Sequence, residues 1–454
     1  MQPLSVLVGA AADAHGSKFD DAAFKSDDSC GAGKRPVVLP FCYPFLATTS
    51  DWETMGVHAP TEIGEWVVRA ALAGTNETEI LAGVCERLNS AGASLVRAAI
   101  ATNLLDPTFD GRSLRWIRGQ GTIEEPFPRV ADALTQEEWT RSPFFVLVES
   151  GQPTLRRLLD ATYRRGEFPM LDQFQDQGVT DYVAFAARIN QSVRLGEGEG
   201  MASSWTTDAA RGFTEAQVEL LAGIMPTLTL AFTLWANHKS ARALITTYLG
   251  SDAAERVLAG NIVRGRAEPI RAVVWFSDLV GFTRISDGAG PAAMLALLND
   301  YAEAQVEAIE GNGGHVLKFI GDGLLAIFPD DDTGRACSRA LDAAVDQRRR
   351  IVALNARRAA SGLPVTDTHL ALHVGEFLYG NVGSARRLDF TVLGPAVNEA
   401  ARIEAMCASL DQVIVVSRAF ADAAGESRFR LVSLGRYAMK GIARPQELFT
   451  LDST

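Results

Sequence analysis

Lysine is scarce in this chain: only six of the 43 basic residues among its 454 are lysine, and three of these lie within the first 35 residues. The other three are Lys239, Lys318 and Lys440. Because arginine supplies the remaining positive charge, an isolated lysine indicates a position that needs a compact, flexible cation. Chance placement in a lysine-poor chain is the alternative. Lys318 and Lys440 lie in motifs described below, which makes them candidate ligand contacts.

Cysteine and histidine are also sparse, and their spacing excludes common metal sites. No two cysteines form a CxxC pair, and their number is odd: Cys30, Cys42, Cys85, Cys337 and Cys407. We therefore predict reduced thiols in a cytoplasmic protein rather than disulfides or bound zinc. His315, His369 and His373 are not spaced as zinc ligands either. The formal net charge of -12 disfavours nucleic acid as a partner.

The first 55 residues lack a basic start followed by an apolar core, so a signal peptide is not predicted. Their Ala-, Asp-, Ser- and Gly-rich composition predicts a flexible leader, and Met55 is an alternative natural start.

One uncharged run, residues 220–237, reaches the lower limit of length for a membrane span. It contains Pro226, three threonines and Asn237. We therefore expect a buried helix that pairs with its copy in a dimer, and not a membrane anchor.

Two motifs each place an aspartate beside an apolar, strand-like run. Asp278 lies in residues 276–283 (FSDLVGFT), and Asp322 lies in residues 317–323 (LKFIGDG). Carboxylates at strand ends, beside glycines that let a phosphate approach the backbone, suit Mg²⁺ that carries a nucleotide. Together they predict a two-metal site for phosphoryl transfer. Either motif alone is equally compatible with an ordinary turn or helix-cap aspartate.

A third motif, residues 389–402 (DFTVLGPAVNEAAR), decides between these interpretations. It predicts a short strand, a Gly-Pro turn and a helix on which Asn398 and Arg402 share one face. Lys318 lies four residues before Asp322. This ordered set resembles the catalytic domain of the class III nucleotidyl cyclases, the adenylate cyclase family, over about residues 267 to 454.

The resemblance implies how metals and phosphates are held. Asp278, Leu279 and Asp322 would hold two divalent cations, Mg²⁺ or Mn²⁺, in each site. Lys440 would contact the triphosphate. Backbone amides at a predicted helix start would also contact the phosphates, those of Val280, Gly281, Phe282 and Thr283.

The resemblance also assigns the base, ribose and α-phosphate contacts. Lys318 and Thr391 would recognise adenine, Asn398 would orient the ribose, and Arg402 would stabilise charge on the α-phosphate. Many family members have Asp where Thr391 stands, and Thr resembles the subgroup often called IIIb. Lysine donates and threonine can accept a hydrogen bond, which fits N1 and the N6 amino group of adenine.

The implied function is conversion of ATP to 3′,5′-cyclic AMP and pyrophosphate. In the family, the metal-binding aspartates of one catalytic domain face the Asn and Arg of another, so this chain, with one such domain, would be a homodimer with shared sites. Two alternatives stay open: a guanylate cyclase, and a binding module that senses ATP without chemistry.

The region before the catalytic motifs resembles a GAF-type sensory domain, weakly and by pattern. We predict helices around 63–70 and 76–92, strands at 95–102, 114–117, 144–149, 179–188 and 201–205, and a closing helix after 215. An unknown small molecule or protein would regulate it. Four aromatic side chains could line a pocket, although core packing is their commoner fate: Trp116, Tyr182, Phe185 and Trp205.

The predicted architecture is therefore α+β. Residues 1–55 form the leader, 56–235 an α/β GAF-like sensory and dimerisation domain, and 236–266 a connector of short helices. Residues 267–454 form the cyclase domain, with helices packed on a ferredoxin-like, mostly antiparallel sheet.

Overall fold

The computed structural model describes residues 59–129, 133–193, 195, 200–425, 429–442 and 444–452. The predicted leader, Met55, Cys30 and Cys42 lie outside these residues. All described residues belong to one of the two units into which the chain divides, Val57–Thr454.

The N-terminal region contains an antiparallel sheet of six strands in the order β3-β2-β1-β6-β5-β4. The strands are β1 Leu95–Asn103, β2 Phe109–Ile117, β3 Gly121–Pro128, β4 Thr154–Leu158, β5 Asp181–Arg188 and β6 Gly200–Thr207. Strands β1, β2, β5 and β6 confirm the sequence prediction, whereas β3 and β4 were not predicted.

In the described part of this region, six α-helices accompany the sheet: α1 Ala59–Leu72, α2 Glu77–Ser90, α3 Ala133–Thr140, α4 Pro143–Ser150, α5 Pro169–Asp176 and α6 Glu215–Leu249. The predicted cap of α2 is confirmed, because the Asn76 side chain accepts a hydrogen bond from the Glu79 amide at 2.9 Å. Helix α6 begins with a full capping box between Thr214 and Gln217.

The two faces of the N-terminal sheet carry separate cores. Helices α1, α2 and α6 cover one face, where Trp116, Phe185 and Trp205 are buried. Side chains of α4 and α5 pack with Tyr182 on the other face. All four aromatic residues considered as pocket candidates are therefore core residues. Cys85 is buried in the first core as a free thiol.

The predicted strand at residues 144–149 is wrong, because the segment forms helix α4. Its β-branched and aromatic composition favours a strand. However, the Ser142 hydroxyl accepts from the Phe145 amide, Pro143 occupies the first turn, and Gly151 ends the helix in the left-handed conformation. Capping at both ends therefore outweighs the residue preferences.

The connector also differs from its prediction, because α6 continues without interruption through residues 240–249. The uncharged run forms the middle of this 35-residue helix, with Pro226 inside it. By length and a mean hydropathy of 1.5, α6 could cross a membrane, but core helices of soluble proteins pass the same test. Leu221, Ile224 and Leu228 are buried in the N-terminal core, whereas Leu230 is 69% exposed.

Gly250 joins α6 to α7 (Ser251–Leu258) with a φ of +80°. A Cβ atom there would lie 2.4 Å from the Val316 carbonyl oxygen. The Ala253 side chain of α7 is buried in the core that contains Tyr379 and Phe390. The second half of the connector therefore packs directly on the C-terminal domain.

The C-terminal domain contains eight strands: β7 Ala267–Leu279, β8 His315–Ile320, β9 Gly323–Pro329, β10 Thr368–Gly383, β11 Leu388–Leu393, β12 Ile414–Ser417, β13 Leu431–Tyr437 and β14 Gln446–Leu451. Seven follow the order β13-β14-β12-β10-β7-β9-β8, and β11 pairs with β10. Among the described residues the β10–β12 pair alone is parallel, so the predicted mostly antiparallel sheet is confirmed.

Helices cover both faces of this sheet. They are α8 Phe282–Gly288, α9 Pro291–Gly311, α10 Thr333–Ala360, α11 Pro395–Glu404, α12 Cys407–Leu410 and α13 Arg418–Ala424. Along β7, Val273 and Trp275 pack in the core that contains α10, and Val274 packs in the core that contains α7 and α11. Burial on both sides explains the unbroken apolar run before Asp278.

Replacing Gly250 by alanine should destabilise the junction between α6 and the C-terminal sheet. The positive φ and the close approach to the Val316 carbonyl both oppose a Cβ atom, and strain of this kind costs on the order of 1–3 kcal/mol. Thermal unfolding should therefore begin several degrees lower in Gly250→Ala.

Gly311→Ala is the matched control, because a Cβ atom at that position meets no atom within 4 Å. An equal melting temperature for the two variants would contradict the proposed tight junction.

Candidate functional site

Asp278 and Asp322 meet at one end of the C-terminal sheet. Asp278 lies near the end of β7, and Asp322 lies in the turn between β8 and β9. Strands β7 and β9 pair with Ser277 opposite Leu324, which brings this turn beside Asp278. Burial raises the pKa of Asp278 to about 6, helped by the charge of Asp322 and a hydrogen bond between the two carboxyl groups. The two acids are therefore neighbours, and the folded protein holds a proton on Asp278 more tightly than an isolated aspartate would.

A buried chain of hydrogen bonds holds the end of β7 in place. The Ser277 hydroxyl donates to Gln305 at 2.7 Å, and the Gln347 amide nitrogen donates to both Gln305 and the Thr368 hydroxyl. Trp275 donates to the Ser277 hydroxyl at 3.2 Å. Because these groups are buried and satisfied, they fix the backbone that presents Asp278.

The remaining predicted metal and phosphate contacts follow Asp278 directly. The Leu279 side chain is buried in a core with Leu297 and Tyr301, so only its backbone could bind a cation. Gly281 adopts the left-handed conformation before α8. The Phe282 and Thr283 amides lie in the first turn of α8, where amides have no partner within the helix.

Val280 does not fit the predicted phosphate cradle. Its amide already donates to the Asp367 carbonyl oxygen at 2.9 Å. The cradle is therefore limited to the amides of Gly281, Phe282 and Thr283.

Glu404 is a third acid near the pair, and the sequence analysis missed it. Burial raises the pKa of Glu404 to about 7, and the charges of Asp278 and Asp322 add to this effect. His369, which lies opposite Asp278 in the sheet, has its Nδ1 atom 3.8 Å from a Glu404 carboxylate oxygen. The sequence does contain one indication of its position. Glu404 lies two residues after Arg402, so the two side chains point to different sides of helix α11.

These acids fit a divalent cation that arrives with a phosphate. Across the described residues, no group of three or more His, Cys, Asp or Glu side chains could hold a metal ion. Mg²⁺ is commonly held by one or two carboxylates together with substrate phosphates and water. The repulsion between Asp278 and Asp322 is the kind of strain that a bound cation relieves.

The two predicted base-recognition residues lie near one another. Lys318 of β8 forms an ion pair with Asp389 of β11, and Thr391 follows two residues later on β11. Thr391 is 9% exposed. Within the described part of the chain its hydroxyl makes no hydrogen bond, which leaves it available to a ligand. Asp389 opens the third sequence motif, but its pairing with Lys318 was not foreseen.

Helix α11 presents Asn398 and Arg402. Gly394 precedes this helix and lies close to the Phe377 backbone. A Cβ atom on Gly394 would lie 3.1 Å from the Phe377 Cα atom. The Asn398 side chain is exposed. A Cβ atom on Gly441 would lie 3.1 Å from Arg402 Nη2, so the guanidinium packs against the turn that carries Lys440. Among the described residues Arg402 has no ion pair.

The candidate residues thus form two groups within one chain. By their predicted roles, Asp278, Asp322 and the α8 amides form one group, and Lys318, Thr391, Asn398, Arg402 and Lys440 form the other. Within the second group, Lys318 pairs with Asp389 near Thr391, and Arg402 lies beside the turn of Lys440. In the described residues, no hydrogen bond or ion pair joins the two aspartates to any member of the second group. Each group is predicted to form part of a nucleotide site.

Comparison with known proteins identifies the C-terminal domain. Residues 267–453 match the family described as the adenylate and guanylate cyclase catalytic domain. The C-terminal domain is therefore similar to this family over nearly its whole length. The match begins at the first residue of β7 and includes every candidate site residue.

Curated relatives are similar to part of the chain. An adenylate cyclase of Anabaena cylindrica is 36% identical over 150 residues, which are 32% of this chain and 29% of that protein. Adenylate cyclase 1 of Rhizobium meliloti is 35% identical over 133 residues, which are 29% of this chain and 20% of that protein. The chain therefore spans less than a third of the length of these relatives.

Among solved structures, the adenylyl cyclase CyaB from P. aeruginosa is 25% identical, with a TM-score of 0.39. The alignment covers 42% of this chain and 97% of that one.

The shared proton of the acid pair predicts how stability depends on pH. The pKa of Asp278 is raised from 3.8 to about 6, so the folded protein holds this proton more tightly than the unfolded chain. Its contribution to stability is present below about pH 4 and is lost as the pH rises through about 6. At pH 8, Asp278→Asn should therefore raise the melting temperature of the metal-free protein by on the order of 2 °C.

Millimolar Mn²⁺ should raise the melting temperature of the unaltered chain more at pH 8 than at pH 5, because protons compete with the cation. Asp278→Asn should lose this shift. Asp287→Asn, which alters an exposed acid on α8, should keep it. A shift of the same size in all three proteins would argue against cation binding by the pair.

Proposed function

We propose that this protein is an adenylate cyclase that converts ATP to 3′,5′-cyclic AMP and pyrophosphate in the cytoplasm. The observation that carries the proposal is the meeting of Asp278 and Asp322 at one sheet end of a cyclase catalytic domain. The adenylate cyclases named among its relatives support ATP as the substrate. Production of cyclic AMP by the purified chain with Mg²⁺ or Mn²⁺, and its loss in Asp278→Ala, is the direct test.

In the proposed reaction, the ribose 3′-oxygen forms a bond to the α-phosphorus. The bond between that phosphorus and the bridging oxygen of pyrophosphate breaks, and the 3′-hydroxyl proton passes to solvent. Two divalent cations held by Asp278 and Asp322 would lower the pKa of this hydroxyl and neutralise phosphate charge. The amides of Gly281, Phe282 and Thr283 would contact the phosphates.

Arg402 and Lys440 would stabilise the negative charge of the phosphates during the reaction. Arg402 has no ion pair among the described residues, so its donors are available to the α-phosphate. Lys440 lies in the turn beside it and would meet the β- and γ-phosphates. Arg402 would stabilise negative charge that develops in the transition state. Its loss should therefore lower kcat by a larger factor than it changes KM.

Adenine selection would come from Lys318 and Thr391. The Asp389 carboxylate would hold the Lys318 ammonium toward the base, where it donates to N1. The Thr391 hydroxyl would accept from the N6 amino group, as expected for the IIIb-like subgroup. Guanine presents the opposite pattern, with a donor at N1 and an acceptor at O6, so it should be disfavoured.

Charge reversal at Lys318 should therefore impair use of ATP. Lys318→Glu replaces a donor with an acceptor beside Asp389, and we expect kcat/KM for ATP to fall on the order of 100-fold. Both ATP and GTP should be assayed.

Arg349→Glu is the control for charge reversal, because that side chain is 77% exposed on α10. Unchanged ATP kinetics in Lys318→Glu would refute the base-recognition role. Efficient formation of cyclic GMP by the unaltered chain would favour the alternative of a guanylate cyclase.

The complete site would form between two copies of the chain. The acids and the α8 amides of one copy would face Lys318, Thr391, Asn398, Arg402 and Lys440 of the other. The separation of these groups within one chain supports this arrangement. Two equivalent sites per homodimer would follow from the two-fold symmetry.

Mixing two inactive variants should restore activity. In a heterodimer of Asp278→Ala and Arg402→Ala chains, one site combines the intact Asp278 of one chain with the intact Arg402 of the other. Random pairing should therefore give about one quarter of the wild-type activity. Activity no higher than that of the separate variants, despite heterodimers demonstrated by differently tagged chains, would contradict the shared site.

Regulation would pass from the N-terminal domain through α6 and α7. The Ala253 side chain packs in the same core as Leu317, Phe390 and Val392, which neighbour Lys318 and Thr391 along β8 and β11. A shift of α7 would therefore alter the base-recognition residues directly. The N-terminal region would act as the sensory and dimerisation domain.

The remaining alternative is an ATP sensor without chemistry. ATP binding with no cyclic AMP formation in either Mg²⁺ or Mn²⁺ would favour it over the cyclase.

A further inference from the structure

A cavity of about 830 Å³ lies in the N-terminal domain, on the sheet face that α4 and α5 cover. This volume is within the range of sites that bind small molecules. It lies on the opposite face from the core that contains Trp116, Phe185 and Trp205.

Small residues on the sheet leave this space open. Ala101 of β1 lies opposite Ala202 of β6, which in turn lies opposite Ala186 of β5, and all three line the cavity. Phe144 and Leu147 of α4 and Met170 of α5 form apolar walls. An alanine side chain extends only one carbon from the sheet. The side chains of the covering helices therefore do not fill the space above these three alanines, which stays open.

Arg97 of β1 is the unusual residue in this cavity. Its guanidinium lies over the Phe174 ring, with Cζ 4.7 Å from the ring centroid. Within the described residues it forms neither a hydrogen bond nor an ion pair. Other arginines of the domain do pair with carboxylates: Arg112, Arg115, Arg118, Arg129, Arg156, Arg157 and Arg165.

No acid around Arg97 forms an ion pair with it among the described residues, although the charge of Glu125 acts on it from a distance. Glu125 lines the cavity but forms its ion pair with Arg115. Asp110 pairs with Arg129, and Glu138 is exposed. Burial and, to a smaller extent, the neighbouring charge of Arg115 lower the pKa of Arg97 to about 10, against opposing effects of Tyr182 and Glu125. A half-buried cation without a partner is costly to the folded protein, and an anion in the cavity would offset that cost.

We propose that this cavity binds a small organic anion, with Arg97 as the anchor of its carboxylate, sulfonate or phosphate group. An apolar or aromatic body would lie on the alanine floor, between the side chains of α4 and α5. The planar guanidinium, held by the Phe174 ring, can offer two parallel donors to such a group. The ligand would thus be an acidic metabolite with a hydrophobic part.

A matched pair of fluorescent probes tests this proposal on the full chain. 8-Anilino-1-naphthalenesulfonate is anionic, and N-phenyl-1-naphthylamine has the same rings without the sulfonate. The unaltered chain should bind the anionic probe at least about ten-fold more tightly. Arg97→Met should reduce that preference on the order of ten-fold, while Arg97→Lys retains part of it.

Two further variants locate the bound probe and separate binding from folding. Ala202→Leu should weaken both probes, because leucine fills the cavity floor. Without ligand, Arg97→Met should melt at the same or a higher temperature than the unaltered chain, since an unpaired cation has been removed. A marked loss of stability in Arg97→Met would instead assign the residue a structural role and overturn the proposal.

Equal affinity for the neutral and anionic probes, or a preference that survives Arg97→Met, would also overturn it. So would probe binding that Ala202→Leu does not change. Two competitors, 1-naphthyl phosphate and the carboxylate 1-naphthaleneacetate, distinguish a phosphate ligand from a carboxylate ligand. These measurements do not use cyclase activity, so their outcome is independent of the proposed reaction.

Discussion

Two like charges held close together are the constraint on which the catalytic domain depends. Asp278 and Asp322 are 44 residues apart in sequence but share a hydrogen bond at the end of the sheet. Folding brings them together through the β7–β9 pairing and the buried Ser277–Gln305–Gln347–Thr368 chain. Their repulsion is unfavourable in the absence of a cation. Under the proposed function, a divalent ion beside a polyphosphate would turn the same repulsion into affinity.

Under the proposed function, helix α11 explains why one chain would hold only part of a site. Arg402 lies beside the turn of Lys440, whereas Glu404, two residues further, turns toward the acid pair of its own chain. One helix therefore contacts both groups of site residues without joining them. Under the proposed function, the two-fold symmetry of a homodimer would place Arg402 opposite the acids of the second copy. The exposed Phe319 and Ile320 beside Lys318 are consistent with a surface that a second copy covers.

The sequence was most informative where local chemistry decides the structure. The strand ends at Asp278, the helix that carries Asn398 and Arg402, and the cap at Asn76 follow from apolar runs, Gly-Pro turns and side-chain caps, and the structure has each of them. Segment 144–149 failed because its capping residues outweighed a strand-like composition. The Val280 amide, Glu404 and the Lys318–Asp389 pair depend on contacts between residues distant in sequence, which periodicity does not report. Arg97 was missed for the same reason, because its lack of a partner is visible only once the sheet is folded.

The most direct test of the central claim is a crystal structure of the chain with Mn²⁺ and an ATP analogue that cannot cyclise. The account predicts metal density between Asp278 and Asp322, with carboxylate oxygens at about 2.0–2.6 Å. It also predicts that the α-phosphate on those ions contacts Arg402 of a second copy. Well-ordered nucleotide with both aspartates turned away from it, and no metal between them, would contradict the account.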